Sequence, residues 1–453
     1  MQPMLTFKKI AAVAAMTALT AAATLSVSSA QAAIPIQHWT LPNGAKVYLG
    51  AVSTLPIVDV QLDFDAGSRR DPDAQAGLAG VTADMVEKGI RAVDGAPAMD
   101  QNALGEAWAD LGAEFNVGAG GERTSFALRS LSDPKLLDKA VALAARVIGE
   151  PAFPDDVWQR ERERLSAAIK EANTKPGVVA ARNFAHAVYG SNPLGQETDE
   201  TTLARIDVAT MRARYAALMQ PCRAKLSIVG AVTRAQADAI ATALLARLPQ
   251  TATCAALPII PQVAALTAPK VERIPFESAQ AQVVIGQPGY RRDDPDHFAL
   301  NLGNYVLGGG GFVSRLTEQV REKRGLTYSI YSGFAPGLEA GAFRIGFQTR
   351  PDQADEAVKV SREVLARFVA DGPTDAELKA AKDNVIGGFP LLLDSNKKLL
   401  GNIANIAWYD LPFDYLDTWT ARMNAITAAD IKAAFARKLQ PERMVTVIVG
   451  AKP

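Results

Sequence analysis

The residues able to hold a transition metal are few and scattered. Only three histidines occur, His38, His186 and His297, and no two have the short spacing with which one helix or hairpin presents paired ligands. Cys222 and Cys254 are the only cysteines, too few for a zinc ribbon or a disulfide-built scaffold. In an oxidising compartment they could pair and tie the end of the first half to the segment that follows; two buried free thiols are the equal alternative. Asp84 and Glu87 have the i, i+3 spacing of one helix face, which is ordinarily no more than a polar surface. Gly308, Gly309, Gly310 and Gly311 form a glycine-rich turn ahead of a helical pattern. Such a turn can cradle phosphate, but no Walker lysine follows, and close backbone packing or loop mobility accounts for it better.

Where such chemistry would take place is written at the start of the chain. Lys8 and Lys9 precede an apolar Ala/Leu/Val/Met run, which ends in Ser28-Ser29-Ala30-Gln31-Ala32. This reads as a secretory signal peptide over residues 1–32 with an A-x-A cleavage site. An uncleaved anchor is the alternative, but the apolar stretch only reaches the lower limit for a membrane span. The expected address is therefore the periplasm, with no membrane contact after cleavage. The 48 Lys and Arg balance 48 Asp and Glu, and cleavage removes only two lysines. Near-neutral charge argues against nucleic acid or an anionic membrane as partner. A length of 453 residues, 48% of them hydrophobic, supports at least two domains.

Those domains are copies of one another. Ile206-Asp207-Val208-Ala209-Thr210-Met211-Arg212, Tyr215, Gln220-Pro221 and Ile228-Val229-Gly230 recur 220 positions later as Ile426-Thr427-Ala428-Ala429-Asp430-Ile431-Lys432, Phe435, Gln440-Pro441 and Ile448-Val449-Gly450. Gly67-Ser68-Arg69-Arg70-Asp71-Pro72-Asp73 likewise resembles the segment from Gly289 to Asp296, with one insertion. Each half reads as α+β. Val58 to Phe64 and Gln282 to Gln287 alternate as strands should, and Ala224 to Val229 and Met444 to Val449 are apolar closing strands. Lys135 to Ile148, Val157 to Ala172 and Ala354 to Val369 have helical periodicity, and Asp207 and Thr427 suit helix caps. From Thr251 to about Lys270 the chain is rich in Ala and Pro and poor in charge, as an inter-domain linker is. The expected division is a signal at 1–32, a first domain at 33–250, a linker at 251–275 and a second domain at 276–453.

Gly67-Ser68-Arg69, Gly77-Leu78-Ala79, and Met85 with Lys88-Gly89 resemble the opening helix region of the pitrilysin/insulinase family of zinc peptidases, the inverzincins. Leu307-Gly308-Gly309-Gly310-Gly311, Ser314-Arg315-Leu316 and the run from Val320 to Ser329 are similar to the family's second domain. The resemblance covers essentially the whole mature chain and implies two homologous domains, each a mostly antiparallel or mixed sheet packed with helices. The family's zinc helix carries H-x-x-E-H, in which the two His bind the metal and the Glu is the base for the attacking water. Aligning the flanking motifs places Gly80, Ala83 and Asp84 at those three positions. Glu161 falls where the family has its third ligand. One carboxylate without its partners is no zinc site, so Glu161 is expected to be a solvated or salt-bridged helix residue. A hard-cation site of oxygen donors from Asp84, Glu87 and Glu161 is the alternative.

The family also has an Arg, and a Tyr seven residues later, that reach the peptide near the scissile bond. Arg321 and Tyr328 stand at that spacing. Ser314 to Arg324 reads as a helix, Gly325 suits its C′ position and Leu326 to Phe334 reads as a strand, so the two side chains would meet at one corner. A guanidinium and a phenol can hold substrate carbonyls and steady an oxyanion. From these two residues alone a surface Arg and a core Tyr would be the simpler account; the surrounding motif favours the binding role. In some members of the family two chains pair, one carrying the zinc helix and one the Arg/Tyr pair. The resemblance thus implies a non-catalytic, peptide-binding subunit with no metal of its own, whose H-x-x-E-H-bearing partner holds the zinc. A peptidase-like scaffold without a proteolytic role, and a stand-alone hydrolase with an unusual metal or nucleophile, are the other readings.

Overall fold

Alternating or continuous apolar runs build most of the strands, which in chain order are β1 (Ile36–Thr40), β2 (Lys46–Ala51), β3 (Ile57–Phe64), β4 (Gly89–Ile90), β5 (Met99–Asp100), β6 (Glu114–Ala119), β7 (Thr124–Leu131), β8 (Lys225–Gly230), β9 (Lys270–Ile274), β10 (Ala281–Pro288), β11 (Ile330–Phe334), β12 (Ala342–Thr349) and β13 (Val445–Val449). The computed structural model describes residues 35–250 and 254–450, so the signal peptide expected at 1–32 and the first residues of the expected linker lie outside it. The first half forms a six-stranded sheet in the order β1-β2-β8-β3-β7-β6. The second forms a five-stranded sheet that reads β9-β13-β10-β12-β11 from its parallel edge. In each, one parallel pair, β2 with β8 and β9 with β13, adjoins antiparallel neighbours. The duplication is therefore one of topology, with β1 added to the first copy.

Strand β9 corrects the expected boundary, because residues 270–274 lie inside the segment read as linker. It is an edge strand whose side chains are mostly exposed or half-buried. Without a buried face it leaves no alternating apolar pattern in Lys270-Val271-Glu272-Arg273-Ile274. The other elements follow local signals. Asp207 and Thr427 each close a capping box, at the starts of the helices Val208–Leu218 and Ala428–Lys438, and so satisfy N–H groups that would otherwise be orphaned. The expected helices appear as Pro134–Gly149, Asp155–Ala172 and Ala354–Asp371. Among the described residues no helix is long and apolar enough to cross a membrane.

Each half lends a helix to the other. Pro176–Tyr189, from the first half, packs on β10 and β13, setting Val179, Ala180, Phe184 and Val188 against Ala342, Val445, Val447 and Val449. Asn396–Trp408, which begins 220 positions later, packs on β8, β3 and β2 of the first half. Burying each Val or Phe contributes roughly 1.5–3 kcal/mol, so the exchange makes one body of the two copies. Polar contacts fix its register. Lys225 Nζ donates to the carbonyls of Ala407 at 2.6 Å and Trp408 at 3.1 Å, Trp408 Nε1 donates to Glu122 at 2.8 Å, and Arg69 pairs with Glu339. Cys222 and Cys254, left open above, form a disulfide with Cα atoms 5.9 Å apart.

None of the three histidines is placed as a metal ligand. His38 stacks on Phe413 at 4.0 Å, and His186 lies 3.8 Å from Glu197. His297 Nδ1 is 3.1 Å from the Tyr290 hydroxyl. Burial, reinforced by Arg292 and Arg422, pushes its pKa down to about 3. An unfolded chain binds the proton near pH 6.5, so between pH 6.5 and 3 the unfolded state holds more protons and stability falls as pH falls. We expect this group to contribute a slope of up to about 1.4 kcal/mol per pH unit. Urea unfolding at pH 6.5 to 5 should show a shallower dependence for His297→Gln, and identical slopes would refute this.

Candidate functional site

The helix Leu78–Val86 is the element on which the family resemblance places its zinc ligands. It starts from Gly77 at φ +100, a left-handed position open to glycine. Its first N–H groups are met by a carboxylate from outside: Asp71 accepts from Gly77 N and Ala79 N, both at 3.1 Å. Asp71 in turn lies 2.9 Å from Arg214, with both side chains buried. The scaffold that holds the helix is thus intact. Its functional face is not. Ala83 is buried, and a Cβ built at Gly80 would meet no atom within 4 Å.

Beside this helix is a cleft of about 400 Å³, lined among others by Asp84, Glu87, Lys88, Trp108, Glu161 and Arg164. The helix Asp155–Ala172 carries Glu161 into it, as expected from the spacing. There Glu161 accepts from Arg164 Nε at 2.7 Å and lies 3.5 Å from Lys88 Nζ. The Arg164 hydrogen bond, aided by Lys88, holds its carboxyl below the usual range. Burial pushes the Glu87 carboxyl up, against a hydrogen bond from the Val117 backbone. Zinc does not fit this donor set. Two of the three helix positions offer no donor atom, and the carboxylate at the third-ligand position is already bound by two cations. Among the described residues no group of three or more His, Cys, Asp or Glu could hold a metal ion, so Asp84, Glu87 and Glu161 make no hard-cation site. Lys88, 3.5 Å from Glu161, also brings its positive charge to bear on Asp84 and Glu87, which opposes a cation there.

The second candidate site lies wholly in the other half. Ser314–Arg324 does not form the regular helix expected; residues 317–322 make a wide π-helical turn. Lys323 N reaches Glu318 O and Leu326 N reaches Val320 O, at 2.9 and 3.0 Å. Gly325, at φ +60, takes the left-handed position expected after it. Strand β11 begins only at Ile330, so Tyr328 sits in a loop and not early in a strand. Hydroxyls pin that loop: Thr327 Oγ1 donates to Gln348 O at 2.6 Å, and Thr349 Oγ1 donates to Leu326 O at 2.6 Å. Side chains hold what the strand ladder was expected to hold.

Arg321 and Tyr328 do converge. The Arg321 guanidinium carbon is 5.1 Å from the Tyr328 ring centre and 4.5 Å from that of Phe312, within cation–π range of both. Tyr328 is 81% exposed and Phe312 69%, which excludes a core tyrosine. Phe312 had no signal of its own beyond being an aromatic next to a glycine run. The run supplies the geometry. A Cβ at Gly308 would come within 2.7 Å of Ser332 N and one at Gly310 within 2.7 Å of Tyr305 O, whereas Gly311, at φ +62, has open space around it, so close backbone packing and then a left-handed turn lead into the exposed Phe312. They do not form a phosphate cradle.

Fold and sites together define a duplicated chain of the zinc-peptidase type whose own metal helix has lost its donors. Comparison with known proteins agrees. Residues 47–202 match the family model of insulinase, peptidase family M16, and residues 205–385 match that of the peptidase M16 inactive domain. An uncharacterized zinc protease of Streptomyces coelicolor is 26% identical over 92% of this chain and 89% of its own length. The non-peptidase homolog YmxG of Helicobacter pylori is 23% identical over 83% of this chain and 85% of its own. A crystal structure of a peptidase M16 inactive domain from Pseudomonas fluorescens superimposes with a TM-score of 0.86 at 34% identity, covering 92% of this chain and 98% of that one. The chain belongs to the insulinase (M16) peptidase family, as a non-catalytic member.

Proposed function

We propose that this chain is the substrate-binding subunit of a two-chain zinc metallopeptidase, exported to the periplasm, that degrades peptides or unfolded segments. One observation carries the reading. The zinc helix has lost both imidazoles and the base, whereas the Arg321–Tyr328 corner is assembled and its phenol is exposed, with no partner for the hydroxyl among the described residues. Arg321 Nε also pairs with Glu322 at 3.2 Å, so it is above all the Tyr328 hydroxyl that is addressed to another molecule. The partner is an exported chain of the same family that bears H-x-x-E-H and holds the zinc, whose chemistry when bound is to activate water. Arg321 and Tyr328 supply N–H and O–H donors in trans, which align the scissile carbonyl and meet the charge that develops on it. The Phe312 and Tyr328 rings keep the guanidinium in place before substrate arrives.

The decisive measurement is peptide hydrolysis by this chain alone, by the H-x-x-E-H-bearing chain alone, and by the mixture. Activity is expected only from the mixture, with unstructured peptides as substrate. Full activity from the zinc-bearing chain alone would sink the proposal and leave a peptidase-like scaffold as the remaining account.

A further inference from the structure

One residue beyond Tyr328, the chain enters a second concave site. A cavity of about 230 Å³ lies between the helix Pro176–Tyr189 and strands β10, β12 and β11. Its polar lining is Gln282, Ser329, Tyr331, Arg344 and Gln348, and no acidic residue is among the groups that surround it. Strand register explains why these side chains converge. Gln282 lies opposite Gln348, Tyr331 opposite Gly346, and Arg344 between Gly286 and Gly333. With glycine on both flanks, the long Arg344 side chain is unobstructed across the sheet, and its guanidinium carbon lies 5.7 Å from the Tyr331 ring centre. Phe184 closes the helix side and leaves no room for a side chain at Gly286. Among the described residues, Arg344 makes no ion pair or hydrogen bond, and neither do the side-chain amides of Gln282 and Gln348. Arg344 and Gln348 are exposed and Gln282 is half-buried, so a guanidinium and two amides, beside the Tyr331 ring, are open to a ligand entering from solvent.

We propose that this cavity is a specificity subsite that takes the carboxylate of an Asp or Glu side chain in an extended peptide. The inference rests on the peptide-binding reading above and extends it to substrate class. A guanidinium matches a carboxylate with two parallel N–H donors, and the amides of Gln282 and Gln348 can donate to the lone pairs that remain. Tyr331 and Phe184 pack the methylene stem. Ser329 lines the cavity and Tyr328 precedes it directly in the chain, so a peptide that reaches both the Arg321–Tyr328 corner and this cavity would present a neighbouring side chain to Arg344.

The test is direct binding to the full exported chain without its partner. Fluorescein-labelled, C-terminally amidated ten-residue peptides of Ala, Ser and Gly, with one central Glu or Gln, are titrated at low ionic strength and followed by anisotropy. The Glu peptide is expected to bind about tenfold tighter. Arg344→Gln should abolish that difference, leaving the Gln-peptide affinity and the melting temperature unchanged. Equal affinity of the two peptides, no measurable binding of the Glu peptide, or discrimination that survives Arg344→Gln overturns the subsite. The two proposals separate cleanly. A chain that discriminates Glu from Gln but does not raise the zinc-bearing partner's activity keeps the subsite and loses the subunit role. A chain that raises the activity without discriminating does the reverse.

Discussion

Tyr328→Phe is expected to lower the turnover of the paired enzyme by about ten- to a thousand-fold, the range for loss of one oxyanion donor, and to leave pairing of the two chains intact. The substitution removes only the hydroxyl. The ring that stacks on Arg321 stays, and at 81% exposure the phenol supports no core packing in this chain. An effect on stability is therefore not expected, and the loss should fall on kcat more than on KM, because the bond is made as charge develops. Steady-state kinetics of the mixture, with association checked by analytical ultracentrifugation, measures both. Unchanged kinetics would remove Tyr328 from the mechanism and leave Arg321 as a substrate anchor alone.

The largest stability effect is expected at Asp71. Asp71→Ala should cost about 3–5 kcal/mol, the range for removing one partner of a buried pair. Its side chain is fully buried 2.9 Å from Arg214, and it starts the degenerate zinc helix by accepting from Gly77 and Ala79. Arg214 also donates to the carbonyls of Ala66 at 2.7 Å and Gly67 at 3.1 Å. Without Asp71 a buried guanidinium loses its counter-charge and two helix N–H groups lose their acceptor. The double variant Asp71→Leu, Arg214→Met should recover much of the loss, because exchanging both charges for apolar groups avoids the uncompensated ion. Urea unfolding of the three proteins gives the comparison; a loss below about 1 kcal/mol for Asp71→Ala contradicts the assignment. The repeated segment in the second half makes a related clamp, in which Asp294 pairs with Lys438 and Asp296 with Arg437. The motif shared by the two halves thus anchors each opening segment to its late helix. It is structural, even though it lies next to the catalytic helix in the family pattern.

What was legible in the sequence was local or repeated. The 220-residue offset and the Asp207 and Thr427 caps depend on spacing along the chain and appear in the fold; β3 and β10 appear as strands, but β3 is buried along both faces, Asp59 and Asp63 included, where the helix Asn396–Trp408 also packs on it. The loss of the H-x-x-E-H set is also a statement about residue types: Gly80 brings no side-chain donor to a ligand position, Ala83 brings no base, and Asp84 has a carboxylate in place of an imidazole. The tertiary structure decided the rest, because it turned on contacts between distant segments. An edge strand such as β9 has no buried face to mark it, and the exchange of helices between halves is invisible to either helix alone. Residue type could not say whether Tyr328 was core or surface, nor that Phe312 would come within reach of Arg321. That Lys88 lies beside Glu161, and that Arg344 lies between two glycines, follows only once the strands and helices are in register. The sequence by itself determined that this chain does not build its own zinc site. Only the fold decided which of its side chains are left free to act on another molecule.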